Sequence, residues 1–530
     1  MSGSRALAVW FGGAVVFWGM FVVAPLAFMS GETLFHDGAL SLEPWRRLLE
    51  APSDRLQLWR SMQLGLAAVA VSLVFGLGHA WVTHRTDVPG AAVLAPLGVL
   101  PLVIPPILVA MGFSDFADTR GFVACALLLG TSYAPFVAVL AARGLRGVDG
   151  AAYEAAWIAR GRGRAEVWLL RSIAPEVACG CLLAFIFVVS DHGVPEFLTV
   201  KGKTWHTYAE GIFSKWTRRA VGVDHASVAS PIVASLPLVL TIVTALVVAL
   251  RLRGRPGRLV GGRGSPLPIR SLGRAKWPAL LLPLIYLGAG VVVPCAVMGA
   301  WAAGSTVVDR PMSAQVLMTN FRTAAREAGG DLSYTLLVGA MATAILLAVA
   351  LPLAYRAGRR SGWIDHLSIV SVAVPGVLLS IGMVKVFNRD LFFSFYDGSA
   401  MLACAYAARF LPFGVLTLSA AVRRTPVELE EAALFARRGP VARAVRVTWP
   451  LLRPAVWSAA CFGFILALRE LDVAVVLPSG NGTVVRRLSN IVHFGGEDMG
   501  GALALLLLLA AVLVPLFTIL LTGRRLRSLS

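Results

Sequence analysis

Apolar runs long enough to cross a bilayer recur along this chain and leave it few folds to choose from. A spanning helix needs roughly 20 mostly apolar residues to cross the hydrocarbon core at its rise per residue, and it is helical because its backbone polar groups must be satisfied within the segment. Twelve such runs lie near residues 7–29, 58–82, 90–113, 121–143, 173–195, 226–250, 277–303, 332–356, 365–387, 398–422, 455–478 and 499–522. Of 530 residues, 57% are hydrophobic and 15% charged, against about 25% charged in a soluble domain. The pattern predicts an all-α polytopic membrane protein with about 12 transmembrane helices. A net charge of +19 does not point to nucleic acid, because Lys and Arg fall in short clusters between the runs, as in cytoplasmic loops. Membrane lipid is the expected surrounding, and no nucleic-acid partner is expected. The six Cys lie in or beside apolar runs without metal-ligand spacing to His, so they read as packing residues and no metal site is expected. The first run lacks a signal-cleavage pattern and reads as a retained helix.

Basic residues set the expected orientation. They mark loops at Arg143–Arg171 and Arg423–Arg446, a linker at 253–276, and the tail at Arg524–Arg527. With an even number of spans, both termini, the linker and both Arg-rich loops face the cytoplasm. Lys201, Lys203, Arg486 and Arg487 on outside loops weaken that asymmetry without reversing it. The linker divides the chain into a first repeat, 1–252, and a second, 277–530. Val103-Ile-Pro-Pro-Ile-Leu-Val-Ala-Met-Gly112 matches Ala373-Val-Pro-Gly-Val-Leu-Leu-Ser-Ile-Gly382, and Pro135-Phe136 matches Pro412-Phe413. Each repeat has six spans, so the repeats are parallel, with the path expected between them.

One polar cassette occurs in each repeat, at 149–171 and 425–449. Glu154-Ala155-Ala156 in the first stands 277 residues (431 − 154) before Glu431-Ala432-Ala433 in the second. Thr425-Pro426-Val427-Glu428 reads as a capping box, Leu429, Ala432, Ala433 and Ala436 as a small-residue face, and Gly439-Pro440 as the break. In the first cassette Asp149 caps, Tyr153, Ala156 and Trp157 share a face, and Gly161 and Gly163 break the helix. A short helix with an apolar knuckle suits a groove on a soluble partner; an amphipathic helix lying on lipid is the other reading.

Glu-Ala-Ala, a break, then an apolar run into Pro resembles the EAA motif of permease subunits of binding-protein-dependent ABC importers. The two-half layout is similar to the fused permeases of the ferric iron and thiamine type. The motif's Gly is Arg160 or Arg437 here, with Gly161 and Gly439 displaced, and Cys179 stands where a second Pro is expected. The resemblance implies type I ABC-importer permease architecture in a bacterial inner membrane. It also implies two copies of a cytoplasmic ATPase, docked at Glu154, Ala155, Ala156, Gly161, Glu431, Ala432, Ala433 and Gly439, and a periplasmic substrate-binding protein. ATP and Mg would sit on the ATPase, so no cofactor is expected in this chain.

No phosphate loop, His-Glu-x-x-His or Gly-x-Ser-x-Gly element occurs, so the chain reads as a transport subunit and not an enzyme. Charged residues within spans usually face the bundle or water. Asp191 aligns with Glu470 at the outer part of the fifth span of each repeat, with Asp472 and Arg409 nearby. These four are the candidate translocation-path residues; structural Arg469–Asp472 or Arg409–Glu470 pairs are the alternative. The expected function is ATP-driven import by alternating access, with ferric iron favoured and thiamine, a phosphonate or a polyamine open. An ion-coupled secondary transporter is the rival of another class.

Overall fold

The computed structural model describes residues 2–36, 39–40, 45–46, 52–117, 120–199, 205–220, 237, 239–240, 243–244, 265–304, 312–359, 371, 374–435, 439–477, 482–494 and 499–513. Among the described residues the chain is helical, apart from a two-residue strand pair, Phe35–His36 with Ala39–Leu40. Eight helices are long and apolar enough to cross a membrane. They correspond to expected spans one, two, four, five, seven, eight, ten and eleven. Most of expected span six, the linker up to residue 264, residues 436–438 and the basic tail lie outside the described residues.

In chain order the helices are α1 Ser2–Trp18, α2 Ala24–Leu34, α3 Pro52–Arg85, α4 Ala91–Leu97, α5 Pro106–Ala117, α6 Gly121–Gly147, α7 Gly150–Arg160, α8 Arg162–Ser190, α9 Gly193–Thr199 and α10 Tyr208–Ala220. There follow α11 Lys276–Leu287, α12 Val293–Ala302, α13 Gly329–Arg359, α14 Gly376–Phe387, α15 Ser399–Arg424, α16 Val427–Phe435, α17 Trp449–Leu468, α18 Asp472–Val476 and α19 Val484–Phe494, with three unnumbered helices at Ala314–Glu327, Phe393–Tyr396 and Pro440–Arg443. A last helix, α20, runs over Met499–Leu513.

The third span, expected as one helix over 90–113, is broken. Its two parts, Ala91–Leu102 and Pro106–Asp115, meet at 94°. Pro101, Pro105 and Pro106 remove three backbone donors in six residues, which an unbroken helix does not tolerate. The aligned Pro375 is extended (φ −52°, ψ 142°) and α14 starts immediately after it. The Pro match between the repeats is therefore a match of helix breaks.

The chain forms two compact units, cut differently from the sequence repeats: residues 45–316, and residues 1–44 with 317–530. In the 45–316 unit, α6 packs between α3 and α8, and α11 lies along α3. In the other unit, α15 packs with α13 and α17, and α1 lies along α13. The inner helices α6 and α15 have 78% and 83% of their span windows buried, whereas the first span has 17%. Each repeat's first span thus packs into the unit built from the other repeat. The first spans match each other in form, since each carries a π turn, Gly19–Val23 or Gly288–Val292. They also make the same contact. A Cβ at Gly112 would meet Pro294 of α12 at 3.2 Å, and one at the aligned Gly382 would meet Pro25 of α2 at 2.9 Å. Small residues allow this close approach of helices in a membrane, where lipid supplies no hydrophobic drive.

Candidate functional site

The first cassette folds as α7, a turn, and the start of α8. Asp149 caps α7 by accepting from the Ala151 N–H at 3.1 Å. Gly161 closes it at φ +77°, a backbone conformation that glycine adopts without strain. Tyr153 is the buried knuckle, seated on Leu145, Val148, Ala165, Leu169 and Ile173. Its hydroxyl donates to Glu166 Oε1 at 2.9 Å, and Arg85 Nη2, from the last turn of α3, donates to the same oxygen at 3.2 Å. The Arg85 guanidinium also stacks 4.7 Å from the Tyr153 ring. Burial, then the bond to Glu166, raises the Tyr153 hydroxyl above its ordinary pKa and keeps it a donor.

The second cassette is braced by the same three residue types in other places. Glu430 on α16 accepts from Arg359 Nη2 at 2.7 Å and from the Tyr355 hydroxyl at 2.8 Å, both from the last turns of α13. Arg359 Nη1 also donates to the Thr425 carbonyl at 2.9 Å. The expected capping box does not form. The Thr425 hydroxyl donates back to Ala421 O at 3.1 Å, closing α15, and α16 begins at Val427. A threonine hydroxyl between two helices can donate back to a carbonyl or accept from an N–H ahead, and here its bond is to the preceding carbonyl.

The expected docking residues fall on two faces. Glu154, Ala155, Glu431 and Ala432 are exposed, as are Gly161 and Gly439. Ala156 packs against the Tyr153 cluster and Ala433 is buried, so these two seat their helices on the chain itself. Two residues missed from the sequence complete the outer face. Ile158 is 87% exposed and Phe435 86%. They are 277 residues apart (435 − 158), the offset of the two Glu-Ala-Ala starts. Each is a large, exposed apolar side chain at the same place on a braced helix, the kind of exposure that marks an interaction surface. The repeat offset, applied to apolar as well as charged positions, would have found them.

The candidate path residues lie at the other end of the fifth spans, roughly 40 Å away along α8 by helical rise. Both spans break there in the same way, α8 into α9 and α17 into α18. Asp191 Oδ1 accepts from Val194 N–H at 3.0 Å, and Glu470 Oε1 accepts from Val473 N–H at 3.1 Å. Each acid therefore caps the short helix three residues on, which explains an acid at both positions. Asp191 also accepts from the Tyr133 hydroxyl at 3.1 Å. Glu470 and Asp472 are buried and share Arg409, whose Nη1 donates to Glu470 Oε1 and Nη2 to Asp472 Oδ2 at 3.0 Å. Arg409 lies over Gly376, where any Cβ would occupy the guanidinium's place. Of the alternative pairs, Arg409–Glu470 is formed, and Asp472 is held by Arg409. Among the described residues, no group of three or more His, Cys, Asp or Glu is placed to hold a metal ion.

Residues 340–527 match the family model described as "Binding-protein-dependent transport system inner membrane component". The chain is 34% identical over 151 residues to a putative ABC transporter permease protein, ORF1, of Streptomyces antibioticus, covering 27% of this chain and 63% of that protein. It is 22% identical over 525 residues to the ferric transport system permease protein FbpB of Actinobacillus pleuropneumoniae, covering 92% of this chain and 74% of that one. It is 28% identical over 263 residues to the diacetylchitobiose uptake system permease protein DasC of Streptomyces coelicolor, covering 47% and 93%. The family match falls on the second repeat, and the FbpB alignment carries the same relationship across the first. Residues 340–527 thus carry the domain of the inner membrane components of binding-protein-dependent transport systems, and over 92% of its length the chain is similar to an ABC-importer permease.

Proposed function

We propose that the chain is the permease of an ATP-driven importer that passes ferric iron from a periplasmic binding protein to the cytoplasm by alternating access. Two copies of a cytoplasmic ATPase, carrying ATP and Mg, dock on α7 and α16, and both termini face the cytoplasm. The observation that carries this reading is the pair of braced helices ending in Ile158 and Phe435, each almost fully exposed at matched positions. An Arg–Glu–Tyr brace makes each helix a rigid handle, through which movement of a docked subunit reaches α3 and α8, or α13 and α17.

Ferric iron is favoured by the 92% coverage in the alignment with a ferric permease. The acids do not add to that preference, since Glu470 and Asp472 are paired with Arg409. We place Asp191, Arg409, Glu470 and Asp472 at the outer end of the path, where they hold the helix breaks in position. The test is reconstitution in proteoliposomes with ATPase and binding protein, measuring 55Fe uptake with and without ATP. Uptake that needs ATP, the binding protein and ferric iron fits the reading. Uptake driven by an ion gradient without ATP rejects the class, and ATP-dependent uptake of a sugar, thiamine, phosphonate or polyamine instead rejects only the substrate.

A further inference from the structure

The described end of the linker is laid down on the first cassette. Gly150, the first residue of α7, donates its N–H to the Ser265 carbonyl at 2.8 Å. A Cβ at Gly150 would collide with Pro266. Leu267 packs on the cluster that seats Tyr153. Arg85 Nη1 donates to the Pro268 carbonyl, while its Nη2 holds Glu166. Arg270 then pairs with the end of α3: its N–H donates to Arg85 O at 2.7 Å and its carbonyl accepts from Asp87 N–H at 3.2 Å. Asp87 takes the next two donors, the Ser271 hydroxyl at 3.0 Å and the Leu272 N–H at 2.8 Å. Four residues later α11 begins, and it packs along α3.

A flexible tether, which is what a basic, Gly- and Pro-rich stretch suggests, does not use its backbone this way. Seven successive residues, Ser265 to Ser271, supply a carbonyl, an apolar side chain, a second carbonyl, a two-way backbone pair and a hydroxyl to one partner surface. Two of those partners, Gly150 and Arg85, belong to the docking helix and its brace.

We propose that Ser265–Leu272 is a strap that positions the first ATPase-docking helix, by joining the start of α7 to the end of α3. The strap ties α7 to α3 and, through the chain, to α11, so that force on α7 moves these elements together. Its residues touch no substrate and no ATPase surface; they act through α7. The inference rests on the docking reading above.

The experiment uses the full chain with its ATPase and binding protein. In the unaltered protein, hydrogen exchange should find the amides of Gly150, Arg270 and Leu272 protected. Arg270→Pro with Asp87→Ala deletes the donor to Arg85 and both acceptors for Ser271 and Leu272. Exchange of the Leu272 segment should then rise by at least roughly tenfold, since three ordinary hydrogen bonds are lost. ATPase subunits should stay bound, and transported substrate per ATP should fall several-fold. A chain broken between 258 and 259 should keep its coupling, whereas one broken between 268 and 269 should lose it. Solvent-like exchange in the unaltered protein, or a released strap with normal coupling, overturns the proposal, as does equal coupling in the two broken chains. Ile158→Asp serves as the separate control: ATPase retained in that variant rejects docking on α7 and leaves the strap's protection as its own result.

Discussion

Replacing Arg409 separates two roles for the acids at the ends of the fifth spans. Arg409→Leu leaves the Glu470 and Asp472 carboxylates, which are 6% and 8% exposed, without their shared cation. Removing one partner of a buried pair typically costs about 3–5 kcal/mol. For a unit of this size that is a drop in melting temperature on the order of 10 °C. The apolar side chain itself has room, because the guanidinium already fills the space left by Gly376. A triple variant, Arg409→Met with Glu470→Gln and Asp472→Asn, removes all the charge together. The amide oxygen introduced by Glu470→Gln can still accept from Val473 N–H, so the cap survives. The triple variant should melt within a few degrees of the parent, as expected when a buried charge cluster is replaced whole. Thermal unfolding in detergent, followed by tryptophan fluorescence, reads both. A stable Arg409→Leu protein with impaired uptake would show that the carboxylates work as free charges on the path and would refute the structural assignment.

Ala432 and Ala433 are neighbours on opposite faces, so Ala432→Trp should weaken ATPase retention at unchanged melting temperature. Ala433→Trp should destabilise the fold by about 1–3 kcal/mol of overpacking and so lower the melting temperature first. The repeats exchange their first spans, so 1–252 or 277–530 expressed alone should be degraded in the membrane, and co-expression should restore both; immunoblotting of membranes checks this. Hydrogen bonds from the Leu272 N–H and Ser271 hydroxyl hold the Asp87 carboxyl below its ordinary range. A depressed folded value means the contribution is complete above about pH 4 and is lost as pH falls through that lower value. Strap amides should therefore stay protected through mild acid and exchange only below it; release between pH 5 and 6 would contradict this.

The parts of this molecule written in adjacent residues were readable. Pro105-Pro106 and Pro375 break their spans, Asp149 caps its helix, and Gly161 turns the first cassette, because each acts within a few residues of itself. The pairing of Asp191 with Glu470 was visible as an alignment, though its reason, a cap on Val194 and Val473, is a backbone detail. Contacts between distant segments were not readable. Arg85 meets Glu166 across 81 positions and Arg359 meets Glu430 across 71, and no local pattern joins residues so far apart. The exchange of first spans has no local signal, since Pro25 and Pro294 suit either unit equally well. The strap was hidden by composition: Gly and Pro describe a loop, and only its partners distinguish a tether from a clamp. Ile158 and Phe435 were passed over because an apolar residue on a short helix is ordinarily taken for its buried side.

On the proposed docking, each repeat offers the ATPase one helix whose outward apolar residue is Ile158 or Phe435. Native mass spectrometry of the purified complex tests it most directly, by counting ATPase subunits on the unaltered chain, on Ile158→Asp, on Phe435→Asp and on the double variant. Neither side chain contributes to the described core, so all four proteins should melt alike. Two ATPase copies are expected on the unaltered chain, weakened retention in each single variant, and none on the double variant. A folded double variant that still carries two ATPase copies would contradict it.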